Sequence, residues 1–130
     1  FSVAKLRQAV ALLRETMAFT PRVIIFDQPE IEKVERETLD ELRRTGSDLG
    51  AELWLACRTH RQGPPTLPGH LPPPADRIED LVDLGFRLDS HDTRVRLHIV
   101  KDRQEMLDRD LNILLDPETL LMVTGVASRR

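Results

Sequence analysis

The sequence predicts an α/β fold in which a parallel β-α-β part precedes antiparallel strands. Three observations support this prediction. Short runs of consecutive apolar residues, typical of strands buried on both faces, alternate with helical periodicity in the first half of the chain. A proline-rich segment over residues 61–75 then interrupts the pattern. Beyond it, short strands follow one another through polar turns, which indicates antiparallel pairing.

Length and composition agree with this fold class. The chain has 130 residues, which fits one domain, and its 40% apolar content is enough to form a core. The net charge of -3, with acids and bases interleaved, gives no general attraction to nucleic acid or to an anionic membrane. The single cysteine, Cys57, excludes an internal disulfide framework and suits a cytoplasmic protein. We also expect no membrane association, because no apolar run approaches the length of a membrane span.

The first half is predicted to form a helix, a strand, a second helix and a second strand. Apolar residues recur at helical spacing over residues 2–18, and the β-branched run over residues 23–26 predicts a buried strand. Pro29 opens a helix that reaches about residue 44, and residues 53–57 form the next strand. Strand, helix and strand with short connections predict parallel pairing with a right-handed crossover.

The second half is predicted to be mostly antiparallel. A short helix is expected over residues 75–82, and strands over 85–89 and 94–101 are joined by a polar turn. Basic and apolar residues alternate in the second of these strands, which indicates one solvated face. The last two strands, over 111–115 and 120–123, flank an Asp-Pro-Glu-Thr turn. We expect these antiparallel strands to extend the parallel sheet.

The clearest chemical signal is Asp27, which ends the first buried strand. A carboxylate there projects into the crevice where open α/β sheets bind ligands. In P-loop NTPases this is the Walker B position, which holds Mg²⁺, usually through water. The alternative is that Asp27 caps the next helix. Glu30 is either a carboxylate favoured by the helix dipole, which is the preferred interpretation, or a base that orients attacking water.

The second buried strand is followed by Cys57-Arg58-Thr59-His60. Polar groups at this point can contact a γ-phosphate or the attacking water. The alternatives are an exposed loop or a metal pair formed by Cys57 and His60. Such a pair is a poor zinc site, because the chain has no other cysteine to complete it.

Lys101 and Arg103 lie two residues apart at the end of an alternating strand. Residues at this spacing face the same side of a strand, so both cations can reach one phosphate group. The alternative is a solvated sheet edge, where Lys and Arg discourage aggregation.

The order of these features resembles the carboxyl-terminal half of a RecA/KaiC-like P-loop ATPase domain. The matching strings are VIIFD at 23–27, LWLACRTH at 53–60, VKDR at 100–103 and LLDPETLLMV at 114–123, so the resemblance covers nearly the whole chain. It implies that residues 1–130 form a single domain that is the carboxyl-terminal part of a larger ATPase domain. The sheet would then be part of a RecA-like sheet.

The resemblance also implies roles for individual residues. Asp27 would bind Mg²⁺, and Thr59 and His60 would act as phosphate sensors. Lys101 and Arg103 would reach the nucleotide of a neighbouring subunit, which implies a homo-oligomer. The cofactors of the complete domain would be Mg²⁺ and ATP.

This chain departs from the family in two respects. It contains no G-x-x-x-x-G-K-[ST] sequence, so it lacks the loop whose amides hold phosphates. Asp27 is followed by Gln28-Pro29-Glu30, not by the immediate Ser or Glu common in relatives. We therefore expect the chain alone to bind ATP weakly or not at all. It would hydrolyse ATP only if an upstream segment or a partner supplies the missing loop.

Two other functions are left open. A non-catalytic interaction or oligomerisation module derived from the same fold is favoured by the missing loop, the proline-rich segment and the open sheet edges. Nucleic-acid binding, suggested by the analogy to recombinases and by scattered arginines, is the least favoured. The net charge is negative, and no basic stripe is interleaved with aromatic residues.

Overall fold

A computed structural model of the protein describes residues 2–27, 29–59, 66–105 and 113–124. The chain divides into two compact units, one formed by Phe1–Arg61 and the other by Gln62–Arg130. The β-sheets of the described residues are a two-stranded sheet in the first unit and a four-stranded sheet in the second. The expectation of one domain over residues 1–130 stays a prediction.

The first unit begins with helix α1, Val3–Met17. Its buried residues, Val3 and Val10, lie seven positions apart and therefore on the same face of the helix. The helix ends at Ala18, whose backbone is left-handed with a φ of 52°. The helix predicted over residues 2–18 is confirmed.

Two parallel strands form the sheet of the first unit. Strand β1, Val23–Asp27, pairs with strand β2, Glu52–Ala56, from Val23 opposite Glu52 to Asp27 opposite Ala56. One face of this sheet carries half-buried apolar residues, namely Ile24, Phe26, Leu53 and Leu55. The other face is open, because its residues Val23, Ile25 and Trp54 are 44%, 67% and 51% exposed. Parallel sheets are normally covered on both faces.

Helix α2, Arg36–Leu49, connects the two strands and begins later than predicted. The prediction placed one helix over residues 29–44, but a separate 3₁₀ helix, Ile31–Lys33, comes first. Val34 and Glu35 interrupt the helical path, because their backbones are extended with ψ values of 129° and 147°.

Helix α2 also ends later than predicted, and the reason is packing against β2. Gly46 lies inside the helix, where a Cβ atom would stand 2.7 Å from Cγ of Leu53. The helix ends at Gly50, which has a left-handed φ of 64°. Beside Gly46, the fully buried Thr45 donates its hydroxyl hydrogen to the carbonyl of Glu41 at 2.9 Å, so this polar group is satisfied.

The second unit contains a 3₁₀ helix and a four-stranded antiparallel sheet. The 3₁₀ helix is Ala75–Leu81, within the residues where a short helix was predicted. The strands are β3, Leu84–His91; β4, Arg94–Asp102; β5, Ile113–Leu115; and β6, Met122–Thr124. Their order in the sheet is β3-β4-β5-β6. The predicted antiparallel pairing is confirmed, while the predicted start at Leu111 lies outside the described residues.

Local backbone chemistry forms the two turns of this sheet. Between β3 and β4, Asp92 adopts a left-handed φ of 54°, which Asp tolerates better than most residues. Between β5 and β6, the Asp116 side chain accepts hydrogen bonds from the backbone N–H of Glu118 at 2.9 Å and of Thr119 at 3.4 Å. The Asp-Pro-Glu-Thr turn is thus present as predicted.

The two faces of the four-stranded sheet differ in character, as the alternation predicted. One face is apolar and consists of Phe86, Leu88, Val95, Leu97, Ile99, Ile113, Leu115 and Met122. It is open in part, since Leu88 is 61% exposed and Met122 is 72% exposed. The opposite face carries charged and histidine side chains where β3 pairs with β4, namely Arg87, Asp89, Arg96 and His98.

A β-bulge allows β3 to approach a buried leucine. The pairing shifts after Gly85, which lies opposite Lys101, while the next residue, Phe86, lies opposite Ile99. A Cβ atom at Gly85 would stand 2.5 Å from Cδ2 of Leu71, so a larger residue here would force the Leu71 side chain to move.

The fold class is confirmed at the level of an α/β chain whose parallel β-α-β part precedes antiparallel strands. The expectation that the antiparallel strands extend the parallel sheet is wrong for the described part of the chain, where the strands form two separate sheets. Strand β3 reaches β4 through a short turn, so local antiparallel pairing satisfies the backbone groups along the edge of β3 that faces β4.

Candidate functional site

The candidate site lies at the carboxyl edge of β1 and β2. Asp27 is the last residue of β1 and pairs with Ala56, the last residue of β2. Because the strands are parallel, the residues Cys57, Arg58 and Thr59 that follow β2 begin at the same edge as Asp27. Sequence reasoning predicted this juxtaposition from the two apolar runs.

A cavity of about 650 Å³ opens beside Asp27. Its apolar lining residues are Ile25, Phe26, Pro29, Ile31, Val34, Leu39, Leu42 and Leu55. Ile31 and Leu42 are 2% and 4% exposed, so the floor of the cavity belongs to the core of the unit. Sequence reasoning missed this cavity, because it depends on the break between the 3₁₀ helix and α2.

The rim of the cavity is acidic. Among the described residues, the charged groups that line it are the carboxylates of Asp27, Glu30 and Glu35 and the ammonium group of Lys33, and Thr38 also lines it. Lys33 donates a hydrogen bond to Glu30 at 2.7 Å, and this bond raises the pKa of Lys33 above its ordinary value. The ammonium group is therefore protonated and neutralises the charge of Glu30. The carboxylates of Asp27 and Glu35 then determine the net charge of the rim.

The prediction placed Glu30 at the start of a helix, and this is wrong. Glu30 precedes the 3₁₀ helix Ile31–Lys33, is exposed, and is engaged by Lys33. The proposed role as a base stays a prediction.

Of the two predicted phosphate sensors, Thr59 is exposed just beyond β2, while His60 lies outside the described residues. The neighbouring Cys57 is half-buried, and burial raises the pKa of its thiol. Within the described ranges, no group of three or more His, Cys, Asp or Glu side chains could hold a metal ion. The zinc alternative for Cys57 and His60 is not tested, since it includes His60.

Lys101 and Arg103, in the second unit, each donate a hydrogen bond to a backbone carbonyl. Lys101 donates to the carbonyl of Glu79, and Arg103 donates to the carbonyl of Asp80. Arg103 also pairs with the Asp83 carboxylate at 3.0 Å. These carbonyls lie at the carboxyl end of the 3₁₀ helix Ala75–Leu81. Backbone carbonyl groups at this end of a helix attract cations. Lys101 is only 14% exposed at its side chain, so it is part of the packing of this unit.

A smaller cavity of about 240 Å³ lies in the second unit beside Lys101. Its lining includes His70, Arg87 and His98. Each of these side chains has a carboxylate partner: His70 lies 2.9 Å from Glu79, while Arg87 and His98 lie 2.7 Å and 3.4 Å from Asp89. Sequence reasoning identified the polar face of β4 but not this cavity, which depends on the register between strands.

No family model, curated protein or solved structure matches this chain. None of the helices in the described residues is long and apolar enough to cross a membrane.

Proposed function

We propose that this chain is the carboxyl-terminal half of a RecA/KaiC-like ATP-binding domain, with a partial RecA-like sheet. The observation that supports the proposal best is the position of Asp27. It is an exposed carboxylate at the carboxyl edge of two parallel strands, and a large cavity lies beside it. Ligands of open α/β sheets bind at this edge.

In this proposal Asp27 holds Mg²⁺. Its carboxylate has no ion pair with any described residue, and a hard, hydrated cation prefers oxygen ligands of this kind. A single carboxylate fits the usual protein contribution to a Mg²⁺ site, since water and phosphate oxygens complete the octahedron. Asp27 thus suits the metal that the resemblance implies.

The described residues do not fit the phosphates of ATP in the same way. The rim of the cavity is acidic, and the sequence has no phosphate-binding loop. Binding of ATP therefore requires a segment or a partner that supplies backbone N–H donors and a lysine. On its own the chain would bind ATP weakly or not at all.

The proposal assigns Thr59 and His60 to sensing the phosphates, and Lys101 with Arg103 to a neighbouring subunit of a homo-oligomer. The last assignment has a structural condition. Both cations bind carbonyls within their own unit, so they reach a nucleotide in trans only if those hydrogen bonds break.

The first experiment is to read the coding sequence upstream of the Phe1 codon and to assay the complete reading frame for Mg²⁺-dependent ATP hydrolysis. An in-frame strand followed by a G-x-x-x-x-G-K-[ST] loop is the expected result. Substitution of Asp27→Ala should then reduce turnover by about 100-fold or more, because the metal loses its protein ligand.

Asp48→Ala is the matched control, because Asp48 is an exposed carboxylate of the same unit that pairs with Arg7 and lies away from the cavity. Its turnover should equal that of the unmodified protein. A reading frame without a phosphate-binding loop, or full turnover in Asp27→Ala, would reject the proposal.

The second candidate function is a non-catalytic interaction module. The specific observation in its favour is the exposure of apolar side chains on both sheets, including Ile25 at 67% and Leu88 at 61%. Exposed apolar patches of several hundred Å² mark interaction sites in soluble proteins. Self-association that is unchanged by Mg²⁺ and ATP would favour this candidate over the first.

A further inference from the structure

The cavity beside Asp27 has two properties that together specify a ligand. The first is its apolar floor. Ile31 and Leu42 are almost fully buried, and Phe26, Leu39 and Leu55 are half-buried around them. The volume of about 650 Å³ lies within the range of small-molecule sites, roughly 300–1,000 Å³. A ligand body that fills this space gains from leaving water.

The second property is the net negative charge of the rim. After Lys33 has neutralised Glu30, the carboxylates of Asp27 and Glu35 remain. Neither carboxylate has an ion pair with another described residue. The amino terminus of α2 adds a positive partial charge of about one half, which leaves the rim negative.

The Glu35 side chain makes no hydrogen bond to the amino terminus of α2. It stands at the position before α2 where a side chain often accepts a backbone N–H, yet it makes no such hydrogen bond. Its carboxylate is therefore free to act on a ligand instead of on the helix.

We propose that this cavity binds a small organic cation, an ammonium or guanidinium group on an apolar body. The apolar body packs on the floor, and the charged group lies at the carboxylates of the rim. A polar cation alone would gain nothing from the floor, and an anion of the same shape would be repelled by the rim. This site requires neither Mg²⁺ nor a nucleotide and so goes beyond the proposed ATP-binding function, but it shares Asp27, so Mg²⁺ and the organic cation exclude each other at this carboxylate.

The test uses the full chain, in the presence of EDTA, and two probes that share a ring and differ in charge. Phenethylamine is the cation, and 3-phenylpropionate is the anion. Binding is followed by isothermal titration calorimetry and by ligand-observed NMR. We expect saturable binding of phenethylamine with a dissociation constant of about 0.1–1 mM, the range set by the efficiency of small ligands.

We expect 3-phenylpropionate to bind at least about tenfold more weakly, because its carboxylate meets the acidic rim. Raising the salt concentration should weaken the binding of phenethylamine and not that of 3-phenylpropionate, since only the cation is attracted by the exposed carboxylates.

Three variants locate the site. Glu35→Gln should weaken the binding of phenethylamine about threefold. The variant should fold normally, because the Glu35 side chain makes no capping hydrogen bond to α2. Thr38→Phe, which places a ring in the cavity, should abolish binding. Glu41→Gln is the matched control, because Glu41 is an exposed carboxylate of the same helix that does not line the cavity, and its binding should be unchanged.

Equal affinity for the two probes, or unchanged binding in Glu35→Gln and Thr38→Phe, would overturn the proposal. So would the absence of saturation. These outcomes leave the proposed ATP-binding function untouched, because that function is judged by hydrolysis in the complete reading frame.

Discussion

Lys101 shows how a residue with a predicted chemical role also serves the fold. Its ammonium group donates to the carbonyl of Glu79 and is 3.9 Å from the carboxylate of the same residue. The side chain is 14% exposed, so little water competes for these contacts. Lys101 thus ties the end of β4 to the 3₁₀ helix of its unit.

The first residue-scale prediction follows from this contact. Lys101→Met should lower the free energy of unfolding by about 1–2 kcal/mol, since a hydrogen bond to a charged group is lost, although the Glu79 carbonyl still accepts the backbone N–H of Val82. Lys33→Met is the control, because Lys33 is 73% exposed and its pairing with Glu30 is a surface contact. Urea denaturation followed by circular dichroism measures both. Equal effects of the two substitutions would contradict the structural role of Lys101.

The second residue-scale prediction concerns pH. Hydrogen bonds from the backbone N–H of Glu118, and then of Thr119, hold the pKa of the Asp116 carboxyl below its ordinary value of 3.8. A depressed pKa in the folded protein means that the ionised form stabilises the turn. This contribution is fully present above pH 3.8 and is lost as the pH falls through the folded pKa.

An NMR titration of the Asp116 carboxyl carbon should therefore give a pKa below 3.8. A midpoint for Asp116 at or above the ordinary value would show that the turn hydrogen bonds do not favour the charged form.

At the scale of elements, Gly46 determines how helix α2 packs on strand β2. A methyl group at this position would stand 2.7 Å from Cγ of Leu53, which is closer than carbon atoms can approach. The leucine would have to move, and with it the half-buried face of β2.

Gly46→Ala should therefore destabilise the protein even though alanine is the better helix former. The gain in helix propensity is about 1 kcal/mol, while overpacking costs about 1–3 kcal/mol, so a net loss of roughly 1 kcal/mol is expected. Ser47→Ala, one position along and exposed, gains propensity without a clash and should be neutral or slightly stabilising. Thermal unfolding distinguishes the two. A more stable Gly46→Ala variant would mean that Leu53 adapts without cost.

These elements also show what the sequence could predict. The strands β1 and β2 were predictable because each contains a short run of consecutive apolar residues, β-branched in β1, and the end of β1 placed Asp27 at the carboxyl edge of the sheet. The boundaries of α2 were not predictable, because either of two glycines, Gly46 and Gly50, could have marked the end of the helix. Only the packing of Leu53 explains why the first of them lies inside it.

The candidate site was predictable only in part for a related reason. The position of Asp27 follows from one strand, but the cavity depends on where the 3₁₀ helix stops and α2 begins. The contacts of Lys101 depend on a carbonyl 22 residues away in the sequence, and no local pattern encodes such a distance.

At the scale of the whole molecule, the main feature is that both sheets leave apolar side chains in contact with water. In the first unit the exposed face carries Ile25 and Trp54, and in the second it carries Leu88 and Met122. Folded proteins rarely leave such faces open over large areas. We therefore expect the chain to self-associate or to bind a partner through at least one of them.

The corresponding prediction uses the four-stranded sheet. Leu88→Glu places a charge on its apolar face and should lower the self-association constant by about tenfold or more, because a charge is costly to bury in an interface. Thr93→Glu, in the exposed turn between β3 and β4, is the control and should behave like the unmodified chain. Sedimentation velocity over a range of concentrations measures both. Identical profiles for all three proteins would exclude this face as the contact.

Trp54 makes the first unit visible in fluorescence. It is the only tryptophan of the chain, tyrosine is absent, and the indole is half exposed on the open face of β1 and β2, where its N–H bonds to Glu52 at 3.2 Å. Emission excited at the indole band therefore reports on that face of the first unit. A shift of the emission to shorter wavelength would signal that the face has been covered.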